Sequence, residues 1–180
     1  LYEPNIEVIL SLEPTVVIAS SIVDPAFVQS LEKAGIKTVQ IYKEESLNGT
    51  YDLIAEVASA IGKETEGQVV INSMKERINA VQQKVSSIKE EDKKACMYLI
   101  AWGDWGDYGA TGETYLNDVI KAAGAINSGE QGQWWAISKE LLLDQDPNFI
   151  LLGAYSYTDI PSHIDSFVNS EPYNKLSASK

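Results

Sequence analysis

A long segment without proline constrains the fold of this chain more than any other feature. From Lys63 to Glu90 the only glycine is Gly67, and apolar residues recur at alternating steps of three and four from Ile71 to Ile88. That spacing predicts one amphipathic helix, which would span roughly 40 Å. A coiled-coil arm of about four heptads is the competing interpretation. Because strand and helix patterns flank the segment on both sides, we favour a rigid spine helix that joins two lobes.

Strand and helix patterns alternate along the rest of the chain. Before the spine, the sequence predicts a short helix that Asn5 caps and Pro14 ends, a strand at residues 15–19, a helix that starts at Asp24-Pro25, a strand at 37–42 and a helix at 47–61. After it come strands at 95–102 and 149–152, helices at 113–123, 139–143 and 161–168, and a glycine-rich loop at 103–112. Strands separated by helices imply parallel sheets with right-handed crossovers. The predicted fold is α/β, with two lobes of helix-flanked parallel sheet at residues 1–62 and 91–180 joined by the spine at residues 63–90.

The charge and the supply of metal-binding side chains exclude several classes of function. The formal net charge is −12 and Arg77 is the only arginine, so the chain offers no basic face for a nucleic acid. Cys96 and His163 are the only cysteine and histidine, which excludes zinc or haem-iron sites built from several such side chains of this chain. We expect Cys96 to be an inert buried thiol and His163 to lie on a helix surface. No apolar run approaches the roughly 20 residues that cross a bilayer.

The motifs of common enzyme classes are missing from the sequence. It contains no Gly-x-Gly-x-x-Gly, no Walker loop and no Gly-x-Ser-x-Gly elbow. Asp104 and Asp107 could be imagined as an acid–base pair, but alternating Gly-Asp sequences are typical of turns. We therefore predict a protein that is not an enzyme, with no catalytic residue, no metal site and no intrinsic cofactor.

A segment near the start of the chain recurs in outline near its end. Both copies read as a capped helix, a proline and an apolar strand, with Glu7 matching Glu140 and Pro14 matching Pro147 at the same offset. Any capped helix before a buried strand has this general form. The matched positions on either side of the spine favour two pseudo-equivalent lobes.

Three stretches together resemble the helical-spine class of periplasmic binding proteins, which serve importers of siderophores, haem and vitamin B12. They are the spine, the run Asn5-Ile-Glu-Val-Ile-Leu-Ser-Leu-Glu-Pro-Thr-Val-Val-Ile-Ala and the run Ser138-Lys-Glu-Leu-Leu-Leu-Asp-Gln-Asp-Pro. Thr15 and Asn148 stand where the family often has aspartate after the proline. The resemblance covers nearly the whole chain. It implies the substrate-binding subunit of an ABC transporter, which captures an iron chelate (siderophore or haem) or cobalamin and delivers it to the membrane permease and its ATPase.

The same resemblance has implications for location and assembly. It implies a periplasmic or extracellular protein, with a membrane-anchored lipoprotein as one form, which contacts the membrane only through the anchor or the permease. The family's first lobe usually begins earlier and its second lobe usually continues further, which implies a chain trimmed at both ends. Exposed sheet surface on incomplete lobes would favour a homodimer. The alternative function is a ligand-sensing or assembly domain of the same bilobed fold without transport.

All four tryptophans of the chain fall in two loops of the second lobe. Trp102, Trp105 and Tyr108 follow the strand at residues 95–102, and Trp134 and Trp135 precede a helix. Ligands of α/β folds bind beyond the carboxyl ends of parallel strands, which is the edge where these loops lie. The resemblance implies a ligand in a cleft between lobes, and we predict that these five side chains help to line it. Trp102 is the one best suited to a structural role, because it ends the strand.

The predicted aromatic walls narrow the class of ligand. Flat aromatic surfaces suit a large, partly apolar ligand, so the transported molecule would be an iron complex, haem or a corrinoid. Anionic ferric chelates are usually held by arginines, which bind them in a bidentate way. The sole arginine, Arg77, lies on the predicted spine, away from the proposed cleft. A neutral or cationic chelate, or a corrinoid, is therefore favoured.

Glu7 and Glu140 occupy the positions at which the resembling family has one docking glutamate in each lobe. The resemblance implies that these two side chains contact arginines of the permease. The alternative is helix electrostatics, because a glutamate in the first turn of a helix is stabilised by roughly 0.3–1 kcal/mol at the positive end of the dipole. The two roles are compatible.

Overall fold

The computed structural model describes residues 4–20, 23–41 and 46–180 of the chain. It contains two compact units, one of Leu1–Glu44 with Asn48–Glu76 and one of Glu45–Leu47 with Arg77–Lys180. Each unit combines a sheet with flanking helices, so the predicted α/β class is confirmed. The lobe limits at residues 62 and 91 stay a prediction. In the described ranges, no helix combines the length and the apolar composition needed to cross a membrane.

The first unit is built around two parallel strands. Its elements are α1 (Ile6–Ser11), β1 (Val16–Ser20), α2 (Pro25–Lys33), β2 (Lys37–Ile41), most of α3 (Leu47–Ala60) and the first part of α4 (Glu64–Val85). The predicted caps are confirmed: Asn5 Oδ1 accepts hydrogen bonds from the backbone N–H groups of Glu7 and Val8, and Asp24 Oδ1 accepts one from Ala26. Tyr42, predicted at the end of β2, lies outside the described residues.

Helix α4 corresponds to the predicted spine but is shorter than expected. It ends at Val85, and residues 90–92 form a separate 3₁₀ turn, so Ile88 lies beyond the helix. The hydroxyl of Ser86 donates to the carbonyl of Gln83, which is the kind of local bond by which serine competes with helical hydrogen bonding. The 22 residues of α4 span about 33 Å. The boundary between the two units falls within this helix.

The second unit contains a mixed sheet, in which β3 is the central strand. Its elements are β3 (Ala95–Ala101), β4 (Asp107–Gly109), α5 (Tyr115–Ala122), β5 (Ile126–Asn127), β6 (Ala136–Ile137), α6 (Lys139–Gln145), β7 (Phe149–Leu152) and α7 (Ile160–Asn169). Parallel pairing is confirmed between β3 and β7 and also occurs between β3 and β5. The sheet also contains antiparallel pairs, because β4 lies within the predicted loop 103–112 and pairs antiparallel with both β3 and β6. These added strands are too short to give an alternating pattern in the sequence.

Both faces of this sheet carry a packed core. On one face Met97 and Leu99 contact α6, α7 and a pair of residues from the C-terminal 3₁₀ turns, Tyr173 and Leu176. The other face has Cys96 packed with Ala110 and Ile120 of α5. Cys96 is buried as predicted, and burial raises the pKa of its thiol, which keeps the reactive thiolate scarce.

His163 does not lie freely on a helix surface, and that prediction is wrong. The imidazole is half-buried on α7, with its ring centroid 5.8 Å from that of Trp102, and its Nε2 atom is buried. The reason is that α7 turns this side of the helix towards the aromatic part of the core, where Phe167 also lies.

The recurrence between the two ends of the chain is confirmed in the backbone. A capped helix, a proline turn and a parallel strand occur as α1 with β1 and again as α6 with β7. The residue before each proline has a positive φ, 46° at Glu13 and 34° at Asp146. Because proline disfavours the right-handed helical conformation in the residue before it, each helix is followed by a residue in the left-handed conformation.

Candidate ligand-binding site

Trp102 lies in the core rather than on an open surface. Its indole makes edge contacts with Phe167 at 5.2 Å and with Tyr173 at 5.3 Å between ring centroids, and it is only partly exposed. Such edge-to-face pairs are a favourable arrangement of aromatic rings. These contacts give Trp102 a packing role, and its part in the ligand site stays a prediction.

Asp107 anchors the loop that follows Trp102. Its side chain is 3% exposed, and its Oδ1 atom accepts hydrogen bonds from the Tyr173 hydroxyl at 2.6 Å and from the Gly103 N–H at 3.0 Å. Burial, and then the hydrogen bond to Asp107, raise the pKa of Tyr173 well above its usual value, so the hydroxyl stays protonated and donates. The Oδ2 atom is buried and has no hydrogen-bond partner among the described residues. Asp107 thus has a structural role that its Gly-Asp context did not reveal.

The anchored loop presents Trp105 to solvent. This indole is 94% exposed and lies between Gly103 (φ 114°) and Gly106 (φ 105°), two backbone conformations that favour glycine. Tyr108, in β4, is also exposed on its side chain. The exposure of two large aromatic side chains near one loop is unusual, because such side chains gain most from burial.

Trp134 and Trp135 form the turn of a tight hairpin that ends in β6. Both have a positive φ, 55° and 66°, and the Ala136 N–H donates to the Gln133 carbonyl at 2.8 Å across the turn. Positive φ at both central positions is typical of the type I′ turn, which favours Asn-Gly rather than two bulky residues. Trp134 is 69% exposed and Trp135 is half-buried.

An open cleft of about 540 Å³ lies between the paired strands β4 and β6 and the start of α6. Tyr108 lines it directly, Trp105 immediately precedes the lining residue Gly106, and the Trp134–Trp135 turn connects the lining residues Gln133 and Ala136. Of the five predicted side chains Tyr108 alone is among the lining residues, and Trp105, Trp134 and Trp135 are neighbours of lining residues along the chain. The volume of the cleft is in the range of small-molecule sites, and the residues that line it include one carboxylate, Asp107, and no cationic side chain.

A second pair of exposed aromatic residues was missed in the sequence. Tyr155 and Tyr157 follow β7, are 63% and 83% exposed, and stack on each other with ring centroids 5.4 Å apart and planes 5° from parallel. Since β7 pairs in parallel with β3, the carboxyl ends of both strands meet at one edge of the sheet. The rule that pointed to the loop after β3 would also have found these tyrosines after β7.

Glu7 and Glu140 occupy equivalent positions in the first turns of α1 and α6. Both side chains are exposed, and neither forms an ion pair within the part of the chain that the structure describes. The cap of α6 is Ser138, whose hydroxyl accepts from the Leu141 N–H at 3.0 Å. Each carboxylate is therefore open to an external partner, while its backbone is fixed by a capped helix start.

The described residues contain no group of three or more histidine, cysteine, aspartate or glutamate side chains placed to hold a metal ion.

Comparison with known proteins identifies the family of the chain. The profile of the family described as "Periplasmic binding protein" matches residues 2–180, nearly the whole chain. The chain belongs to the periplasmic binding protein family. A curated relative, the uncharacterized ABC transporter substrate-binding lipoprotein YvrC of Bacillus subtilis, is 24% identical over 151 residues, which are 82% of this chain and 48% of YvrC. The resemblance found in the sequence is thereby confirmed.

Two further similarities point in the same direction. The high-affinity heme uptake system protein IsdE of Staphylococcus aureus is 27% identical over 152 residues, which are 83% of this chain and 50% of IsdE. The crystal structure of the periplasmic heme-binding protein HutB of Vibrio cholerae superposes with a TM-score of 0.78 at 23% identity, covering 96% of this chain and 66% of HutB, and shows the shared fold. The chain spans about half the length of the curated relatives it matches.

Proposed function

We propose that this chain is the substrate-binding subunit of an ABC importer, which captures an iron chelate, haem or a corrinoid and delivers it to a membrane permease and its ATPase. The observation that carries the proposal is an open cleft in the second unit that exposed Tyr108 lines, with the exposed Trp105 and Trp134 next in sequence to the lining residues Gly106 and Gln133. The proposal is supported by two relatives, the substrate-binding lipoprotein YvrC and the heme uptake protein IsdE. A location outside the cytoplasmic membrane, as a lipoprotein like YvrC, belongs to the same proposal.

Exposure of these aromatic groups has no structural benefit that would explain it. Trp105 and Trp134 together leave most of two indoles in water, although each could bury on the order of 150–250 Å². Exposed apolar surface beside a cleft is typical of a binding site. A flat ligand with a partly apolar face would remove this surface from water, and the release of that water is the main driving force we propose for capture.

The charges at the cleft favour a neutral or cationic ligand. Asp107 is the charged side chain that lines the cleft, and the sole arginine, Arg77, lies on α4. Haem carries two carboxylates, and the residues that line the cleft include no guanidinium group that could form an ion pair with them. A corrinoid or a neutral or cationic ferric hydroxamate therefore fits the cleft better than haem does, although relatives include haem-binding proteins.

A fluorescence titration tests this function. The chain is titrated with cyanocobalamin, a ferric hydroxamate, haemin and a ferric catecholate, with correction for absorption by these coloured compounds. We expect saturable quenching by one of them at micromolar concentration or below, and a loss of affinity of about tenfold or more in Trp105→Ala and Trp134→Ala. The control is Tyr115→Ala, an exposed aromatic residue that lies on α5 and not in either of the two tryptophan-containing loops. No saturable response from any probe would argue against the function, and full affinity in both tryptophan variants would argue against the site.

We further propose that Glu7 and Glu140 dock on the permease. Their equivalent positions on two capped helices match a pair of contacts with two related permease subunits, and both carboxylates are exposed. In proteoliposomes that contain the permease and its ATPase, Glu7→Ala and Glu140→Ala should lower uptake and leave ligand affinity unchanged. Glu56→Ala, an exposed glutamate on α3, is the control. Unchanged uptake in the double variant would leave the two glutamates with their helix-terminal role alone.

A further inference from the structure

The Trp134–Trp135 turn adopts a conformation that its own residues disfavour. Both tryptophans have a left-handed backbone, which bulky side chains rarely adopt because Cβ approaches the following carbonyl oxygen. The exposed indole of Trp134 recovers little of this cost through packing. Strained backbone of this kind persists only where surrounding contacts hold it, and it is concentrated at functional sites.

Three hydrogen bonds hold the turn in place. Two join backbone groups: the Ala136 N–H donates to the Gln133 carbonyl within the turn, and the Gly109 N–H of β4 donates to the Trp135 carbonyl, each at 2.8 Å. The third comes from a side chain, since the Trp134 N–H donates to Oε1 of Glu113. A bond from a backbone N–H to a carboxylate is stronger than one between neutral groups, because the acceptor is charged.

Glu113 brings this carboxylate from a different element of the fold. It is exposed and lies directly before Thr114, the N-cap of α5, 21 residues from Trp134 in sequence. The contact therefore ties the turn to a helix whose Ile120 is packed in the core. A neutral backbone hairpin could form without it, but the turn would then be free to relax away from its two left-handed residues.

We propose that Glu113 is a positioning residue of the ligand site, which holds the Trp134–Trp135 turn in the conformation that presents Trp134 beside the cleft. The inference rests on the proposed function, since it assigns Glu113 a role only if Trp134 contacts ligand. Holding the turn before the ligand arrives removes the cost of ordering it on binding, which is how preorganised sites gain affinity.

Two substitutions separate the hydrogen bond from the charge. Glu113→Ala removes the acceptor, whereas Glu113→Gln keeps a carbonyl oxygen at nearly the same place. With whichever of cyanocobalamin, the ferric hydroxamate or haemin binds the unmodified chain, we expect affinity to fall about tenfold in Glu113→Ala and by less than about threefold in Glu113→Gln. Glu130→Ala is the matched control, because Glu130 is an exposed glutamate of the same unit that pairs with Lys121 instead.

A double-substitution cycle shows whether Glu113 acts through Trp134. In the Trp134→Ala background, Glu113→Ala should cost no further affinity, because the ring that it positions is already absent. Near-ultraviolet circular dichroism of the unliganded chain should change in Glu113→Ala, while the far-ultraviolet spectrum confirms that the fold is retained. This spectroscopic change reports on the tryptophans of the turn without any ligand.

Failure of this inference is distinguishable from failure of the proposed function. If probes bind and Trp134→Ala weakens them but Glu113→Ala does not, the positioning role is refuted while the function stands. An equal loss from Glu113→Ala with and without Trp134 would also refute it, since the effect would then be general. If no probe binds the unmodified chain, the function and the inference fall together.

Discussion

Replacing Tyr173 by phenylalanine should destabilise the second unit by an amount that the structure allows us to estimate. The hydroxyl of this 1%-exposed side chain donates to Asp107 Oδ1 at 2.6 Å and accepts from the Gly103 N–H at 2.9 Å. In the variant the Gly103 N–H keeps its bond to Asp107, so no backbone donor is orphaned. What is lost is the hydrogen bond to a buried carboxylate, together with the second acceptor of the Gly103 N–H.

A hydrogen bond to a charged group contributes about 1.5–3 kcal/mol, and the carboxylate that remains is left with fewer donors in a buried site. The phenyl ring would keep the stacking on Phe167 at 4.7 Å and the edge contact with Trp102. We therefore expect a loss of about 2–3 kcal/mol in the free energy of unfolding, measured in urea by far-ultraviolet circular dichroism and by the fluorescence of Trp102 and its neighbours. Tyr157→Phe, at an 83%-exposed tyrosine, is the control and should change stability by less than about 0.5 kcal/mol.

Alkaline pH provides an independent check on the same bond. Burial and the hydrogen bond to Asp107 raise the pKa of Tyr173 in the folded chain, whereas the unfolded chain loses this proton near pH 10. Above that pH the unfolded state binds fewer protons than the folded state, so stability falls by up to about 1.4 kcal/mol per pH unit until the folded group also ionises. Below pH 10 the contribution is fully present. Tyr173→Phe should lack this alkaline decline.

The reasoning would be refuted by a Tyr173→Phe variant that unfolds within about 0.5 kcal/mol of the unmodified chain and shows the same decline above pH 10. That result would mean that the bond between Tyr173 and Asp107 is replaced by solvent at no cost, although both groups are almost fully buried.

Three further changes test other parts of the structure. Trp134→Asn should raise the free energy of unfolding by about 1 kcal/mol, because asparagine tolerates positive φ. Trp105→Asn is the control and should have little effect on thermal unfolding. Destabilisation by Trp134→Asn would contradict a strained turn. Gly67→Ala should lower the stability of the first unit in urea, because the new Cβ would lie 2.4 Å from that of Ala58. Overpacking costs about 1–3 kcal/mol, which exceeds the roughly 1 kcal/mol by which alanine favours a helix over glycine. Equal or greater stability would show that α3 and α4 separate easily. The exposed apolar face of β7 predicts a homodimer at high concentration, which light scattering would detect. Leu151→Lys should abolish the dimer. An unmodified chain that is monomeric at every concentration would contradict the prediction.

Signals that act over a few residues predicted most of the helices and strands. Asn5 and Ser138 mark the starts of α1 and α6 because their side chains bond to the first free N–H groups of each helix. The limits of β7 agree with the apolar run between Pro147 and Gly153. In each case the determining contacts lie within one turn or one strand, so the pattern is visible in the sequence itself.

Elements that depend on distant partners could not be found in this way. Strands β4 and β6 have three and two residues, and their existence follows from pairing across the sheet rather than from alternation. Tyr173 lies after the last predicted helix and has no periodic neighbours, yet its bond to Asp107, 66 residues earlier, places it in the core. The positions of the aromatic loops were predicted from strand order alone, whereas the role of Glu113 required the backbone angles of a turn 21 residues away.

The four tryptophans divide into one that packs in the core and three that we propose for the ligand site. Trp102 is packed between aromatic rings of the core, and the next backbone N–H, that of Gly103, donates to Asp107 and Tyr173. Trp105 lies between this anchor and Asp107, so its position is fixed from both sides although its own ring touches mostly water. The backbone of Trp134 is likewise held by hydrogen bonds to its turn. Large apolar groups can be displayed at a stable site only if their backbones are held elsewhere, because an exposed indole gives the loop that carries it almost no stability of its own.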